Sequence, residues 1–78
     1  MPTVLRVDGY RFFFYSNEGN EPAHIHVQKA EGNAKFWLIP VQLASSTGFS
    51  KKQLQEIEGI IREHQVQLQE AWHEYFTA

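Results

Sequence analysis

The chain has 78 residues and a mass of 9.1 kDa, is 42% hydrophobic and 21% charged, and has no cysteine and a formal net charge of −2. That length supports one core and one domain, and without cysteine there is neither a disulfide nor a thiolate metal site, as fits a reducing cytoplasm. No apolar run nears the roughly 20 residues of a membrane span, Met1 to Asp8 lacks the regions of a signal peptide, and a pI of about 6.0 excludes a broadly basic nucleic-acid binder, leaving a local patch as the one route to RNA.

The first elements are β-hairpins. Thr3–Val7 and Tyr10–Tyr15 are strand-like runs around Asp8-Gly9, a strong signal for a two-residue turn with positive φ at both positions. Ser16 to Pro22 is a polar loop without periodicity. A third strand is predicted over His24–Lys29 and a fourth over Ala34–Leu38, joined by a turn at Ala30-Glu31-Gly32-Asn33. Pro40 stops or bends the fourth strand. Val41-Gln42-Leu43 reads as a short edge strand before a polar loop at Ser45–Gly48.

From Ser50 the pattern becomes helical and rich in Gln and Glu. Ser50 and Gln53 form a capping box, with Phe49 and Leu54 as a hydrophobic staple. Leu54, Ile57, Ile60, Ile61, Leu68, Trp72, Tyr75 and Phe76 mark an amphipathic stripe. It falters at His64-Gln65, which predicts helices over about 50–63 and 65–76. Gly59 suggests close packing, and Trp72, Tyr75 and Phe76 are expected to lock the last helix onto the core while His73 and Glu74 face solvent. The fold class is therefore α+β: an antiparallel sheet of four to five strands, from hairpins 3–15 and 24–39, with two C-terminal helices on one face.

Period-two alternation assigns the faces. Phe12, Phe14, Ile25, Val27, Phe36 and Leu38 form the inner face under the helices. Arg11, Phe13, Tyr15, His24, His26, Lys35 and Trp37 are left outside. That outer set is too polar for a core and too aromatic to be indifferent to water, which marks an interaction surface.

The imidazoles of His24 and His26 lie two residues apart on one strand and so project the same way. Two groups titrating near neutrality are an acid/base pair suited to cleaving a phosphodiester. Arg11 and Lys35 would hold phosphate, and Tyr15 and Trp37 would stack bases, without a metal. The competing readings are hydrogen-bonded structural histidines in a non-catalytic binding or adaptor domain, and a metal site completed by Glu18 or Glu21. The last lacks the spacing of known metal motifs, and no cofactor or metal is expected. Arg11, inside an aromatic strand, needs either a partner or an edge position. The first 49 residues balance four basic against four acidic side chains, so the net charge belongs to the helices and nucleic acid is directed to the sheet.

Tyr10-Arg11-Phe12-Phe13-Phe14-Tyr15, Glu21-Pro22-Ala23-His24-Ile25-His26-Val27, Ala34-Lys35-Phe36-Trp37-Leu38 and the closing Glu70 to Phe76 together resemble a small bacterial family, domain of unknown function 4160. Ala23 stands where many relatives carry a second proline, and His64 where asparagine is common. The resemblance implies a toxin-like component of a type II toxin–antitoxin-like pair, because genes of this family often neighbour those of another small domain. A small cognate protein is then the expected partner, bound through the outer face or a sheet edge. RNA would be a second partner, and a homo-oligomer another source of buried surface.

Overall fold

The computed structural model describes residues 3–15 and 19–77. Five strands, β1 (Thr3–Val7), β2 (Tyr10–Phe13), β3 (His24–Lys29), β4 (Gly32–Leu38) and β5 (Val41–Thr47), pair antiparallel in chain order. Two helices follow, α1 (Lys51–Glu63) and α2 (Gln65–Thr77), completing the α+β architecture. Among the described residues, no helix is long and apolar enough to cross a membrane.

The turn chemistry explains the meander. Asp8 and Gly9 adopt φ of 52° and 84°, the left-handed pair that closes β1 onto β2. The second hairpin is tighter than the sequence predicts. Lys29 pairs with Gly32, so the turn is Ala30-Glu31, Ala30 takes φ of 52°, and β4 starts at Gly32 rather than Ala34. Gly32 serves packing here, because a Cβ at that position would lie 2.4 Å from the Phe49 ring.

β5 runs to Thr47, beyond the predicted Leu43. Ser45, Ser46 and Thr47 pair with Lys35, Ala34 and Asn33. They read as a loop because every β5 residue after Val41 is exposed, which removes the alternation that marks a strand. Between Leu43 and Ser45 the register shifts, leaving Ala44 as an extra residue; β1 has the same irregularity at Val4. Both edges of the sheet are thus bulged, a device that discourages pairing with another chain.

The inner face carries the core as predicted: Phe12, Phe14, Ile25, Val27, Phe36 and Leu38 are fully buried against Ile57, Ile61, Leu68 and Trp72. Ser50 caps α1 by accepting from the Gln53 N–H at 3.1 Å, while the Ser50 N–H donates to Gln53 Oε1 at 2.9 Å. Phe49 and Leu54 both pack on the core. The break between helices falls at His64, whose N–H donates to the carbonyls of Ile60 and Ile61 and whose Nδ1 lies 2.9 Å from Ile60 O. Gln65 Nε2 then donates to Leu38 O at 2.8 Å, fixing the start of α2 to the end of β4.

Two helix expectations are corrected. Gly59 makes no close packing, since a Cβ there would meet nothing within 4 Å. Tyr75 does not bury with Trp72. It stays 42% exposed near the C-terminal end of α2, where its ring covers Phe14 and Phe76 from outside.

Candidate nucleic-acid interface

Strand register builds the outer face row by row, since residues paired across antiparallel strands project to the same side. One row is Arg6, Arg11, Gln28, Asn33 and Thr47. The next is Thr3, Phe13, His26, Lys35 and Ser45. A third brings His24, Trp37 and Gln42 together. Tyr15, just past β2, lies against His26 with ring centroids 4.5 Å apart.

Burial divides these residues in a way the sequence does not foretell. Phe13, expected as part of an open aromatic patch, is 3% exposed. The Arg11 guanidinium covers it at 4.4 Å from the ring centroid, Tyr15 meets it edge-on at 5.2 Å, and His26 stacks on it at 5.7 Å. It acts as the floor of a second, smaller apolar cluster outside the main core.

His24, expected on the open face, is fully buried. Its ring is enclosed by His26, Trp37 and, from α2, Trp72 at 4.8 Å. Nδ1 lies 3.0 Å from Pro22 O and 3.8 Å from Glu21 Oε1. Alternation placed the residue on the correct strand side, but His24 is the first residue of β3, where Trp72 of α2 also packs against its ring. His26 remains half-buried at the surface, with its ring centroid 5.1 Å from that of His24. His26 is therefore reachable from solvent on this face, while His24 lies buried beside it.

Arg11 lies on an interior strand, so its guanidinium is held by neutral hydrogen-bond partners rather than by an edge. Nε donates to Thr3 Oγ1 at 2.8 Å and Nη1 to Gln28 Oε1 at 3.5 Å. Lys35 bonds Glu21 Oε1 at 2.6 Å and lies over the Trp37 ring at 4.6 Å. Glu18, the other carboxylate weighed as a ligand, falls outside the described residues. Among those described, no group of three His, Asp or Glu side chains is placed to hold a metal ion.

Between these rows lies a shallow cleft of about 260 Å³, lined by Phe13, Tyr15, His26, Lys35, Ser45 and Thr47 among others. It joins an exposed aromatic ring, an imidazole, an ammonium group and the hydroxyls of Ser45, Ser46 and Thr47. Sequence reasoning missed Arg6, Asn33, Ser45 and Thr47. Arg6 was legible from alternation in β1, whereas Asn33 joins the face only because β4 starts at Gly32, and Ser45 and Thr47 only once β5 is extended.

The architecture is thus a five-stranded meander with one helix-covered face and one aromatic–basic face. Residues 9–73 match the family model described as domain of unknown function 4160, so the chain belongs to that family. No curated protein and no solved structure matches the chain.

Proposed function

We propose that the outer sheet face binds single-stranded RNA, and that the protein acts as the toxin-like member of a toxin–antitoxin-like pair whose small partner protein controls access to that face. The observation that carries the reading is the composition of the cleft: exposed Tyr15 beside His26 and Lys35, with Trp37 and Arg11 in the flanking rows. Sheet aromatics stack bases, and flanking cations follow the phosphates. The basic groups Arg6, Arg11 and Lys35 meet one carboxylate on this face among the described residues, that of Glu21, while Asp8 and Glu31 sit in hairpin turns. This local excess offsets the mildly acidic whole.

Cleavage is the more demanding step. An acid/base pair must touch the substrate from two sides, and a fully buried His24 does not reach it. His26 is the catalytic candidate, and His24 is a positioning residue. The alternative, a non-catalytic adaptor, draws its support from the same burial of His24.

The test is fluorescence anisotropy with labelled single-stranded RNA, alongside gel analysis of the same RNA. Tyr15→Ala should weaken binding by about 5- to 100-fold, the range of one lost base stack, and Lys35→Ala should weaken it and reduce its salt dependence. Loss of any cutting in folded His26→Gln, with binding retained, supports catalysis. Absence of RNA binding by the wild-type protein, with or without its genetic neighbour, refutes the reading, and capture of that neighbour's product by the same face then favours the adaptor.

A further inference from the structure

Arg6 and Arg11 are direct partners across β1 and β2, and both project from the outer face. Directly opposed like charges on adjacent strands destabilise a sheet, so the arrangement calls for a counter-charge. Among the described residues none supplies one: the ion pairs there join Glu21 to Lys35 and His24, and Glu58 to Arg62. Arg11 is also held in place. Its plane rests on Phe13 at 4.4 Å, and bonds to Thr3 and Gln28 occupy Nε and Nη1, leaving Nη2 to donate elsewhere. A guanidinium fixed before binding loses little entropy on meeting an oxyanion. Arg6 beside it is exposed and, among the described residues, lies over no aromatic ring.

We propose that Arg6 and Arg11 form a phosphate clamp at the β1–β2 side of the outer face. Both guanidinium groups donate to the oxygens of one phosphate, in the forked geometry that makes arginine the preferred phosphate ligand. The opposed charges then stabilise the complex, because the anion between them is attracted to both. This rests on the RNA-binding reading in taking an RNA phosphodiester as the source of that phosphate. The clamp lies in the row next to the Tyr15–His26–Lys35 cleft, so a strand whose base stacks on Tyr15 can place a neighbouring phosphate on the arginines.

The experiment uses the full chain and two probes: inorganic phosphate, followed by NMR of the arginine side chains, and single-stranded RNA, followed by anisotropy across a salt series. Arg6→Gln removes one clamp charge from an exposed position. Arg11→Lys keeps the charge while removing the fork. With RNA, each should weaken binding about 3- to 10-fold, and Arg6→Gln should reduce the slope of log affinity against log salt by about 0.7, the value of one single-strand phosphate contact. If RNA binds and depends on Tyr15 while Arg6→Gln leaves affinity and slope unchanged, the clamp is overturned and the RNA reading stands. If RNA does not bind but inorganic phosphate shifts both arginine signals, the clamp stands as a site for free phosphate. If neither probe responds, both proposals fail.

Discussion

Tyr10 illustrates how one side chain ties the two layers together. Its ring is buried beside Phe49, its hydroxyl donates to Glu56 Oε1 at 3.2 Å on α1, and the Lys29 ammonium lies over the ring at 4.5 Å. Burial first, and then the Glu56 carboxylate, raise the phenol above its ordinary value of 10.0. A raised folded value means the native state holds its proton more tightly than the unfolded chain. This stability is therefore complete below about pH 10 and is lost as the pH climbs through the folded value. Urea unfolding across the alkaline range should show that decline, and Glu56→Gln should flatten it, with phenolate absorbance reporting the earlier ionisation. At the same scale, His24→Ala should cost about 2–4 kcal/mol by opening a cavity among Trp37, Trp72 and His26. Chemical denaturation would measure it, and an unchanged midpoint would contradict the buried placement. Loss of activity in that variant thus reports packing, whereas His26→Gln tests chemistry.

At the scale of elements, two glycines invite opposite outcomes. Gly59 lies exposed inside α1 with open space beside it, so Gly59→Ala should stabilise the protein by up to about 1 kcal/mol through helix propensity alone. Gly32 begins β4 directly under the Phe49 ring, and Gly32→Ala should destabilise by about 1–3 kcal/mol because the ring must move. Thermal melts of the two variants should shift in opposite directions. These cases also mark the limits of sequence reading. The Asp8-Gly9 turn, the Ser50–Gln53 box and the His64 break were legible because each depends on residues within a few positions. Gly32 was not, as its constraint comes from Phe49, far along the chain. β5 was misread for a related reason: a polar edge strand is held by its hydrogen bonds to β4, and its side chains carry no periodic record of that pairing. Alternation likewise assigned the outer residues to their side, but the depth of Phe13 and His24 depends on Arg11 and Trp72 folding over them.

For the whole molecule, the question is whether the outer face is a separate cluster or part of one cooperative unit. Phe13 and its neighbours lie across the sheet from the main core, yet His24 contacts Trp37 of the outer layer and Trp72 of the inner one. Phe14, next to Phe13, meets Trp72 edge-on at 5.3 Å and leads the chain from one cluster to the other. With one sheet shared by both layers, loss of α2 packing removes support from His24 and hence from the ring at Trp37. The two tryptophans report the layers separately. In Trp72→Phe the fluorescence comes from Trp37, and in Trp37→Phe it comes from Trp72. Each variant should melt with its fluorescence and far-ultraviolet circular dichroism transitions coincident, as a single two-state unit does, with a midpoint enthalpy of about 55 kcal/mol for a chain of this size. An earlier Trp37 fluorescence transition in Trp72→Phe, ahead of the loss of secondary structure, would instead separate the outer cluster from the core. Coincidence has a functional consequence: the face proposed to meet RNA is then held at the stability of the entire fold, and mutations in α2 that loosen Trp72 should weaken ligand binding at a cleft the helix does not line.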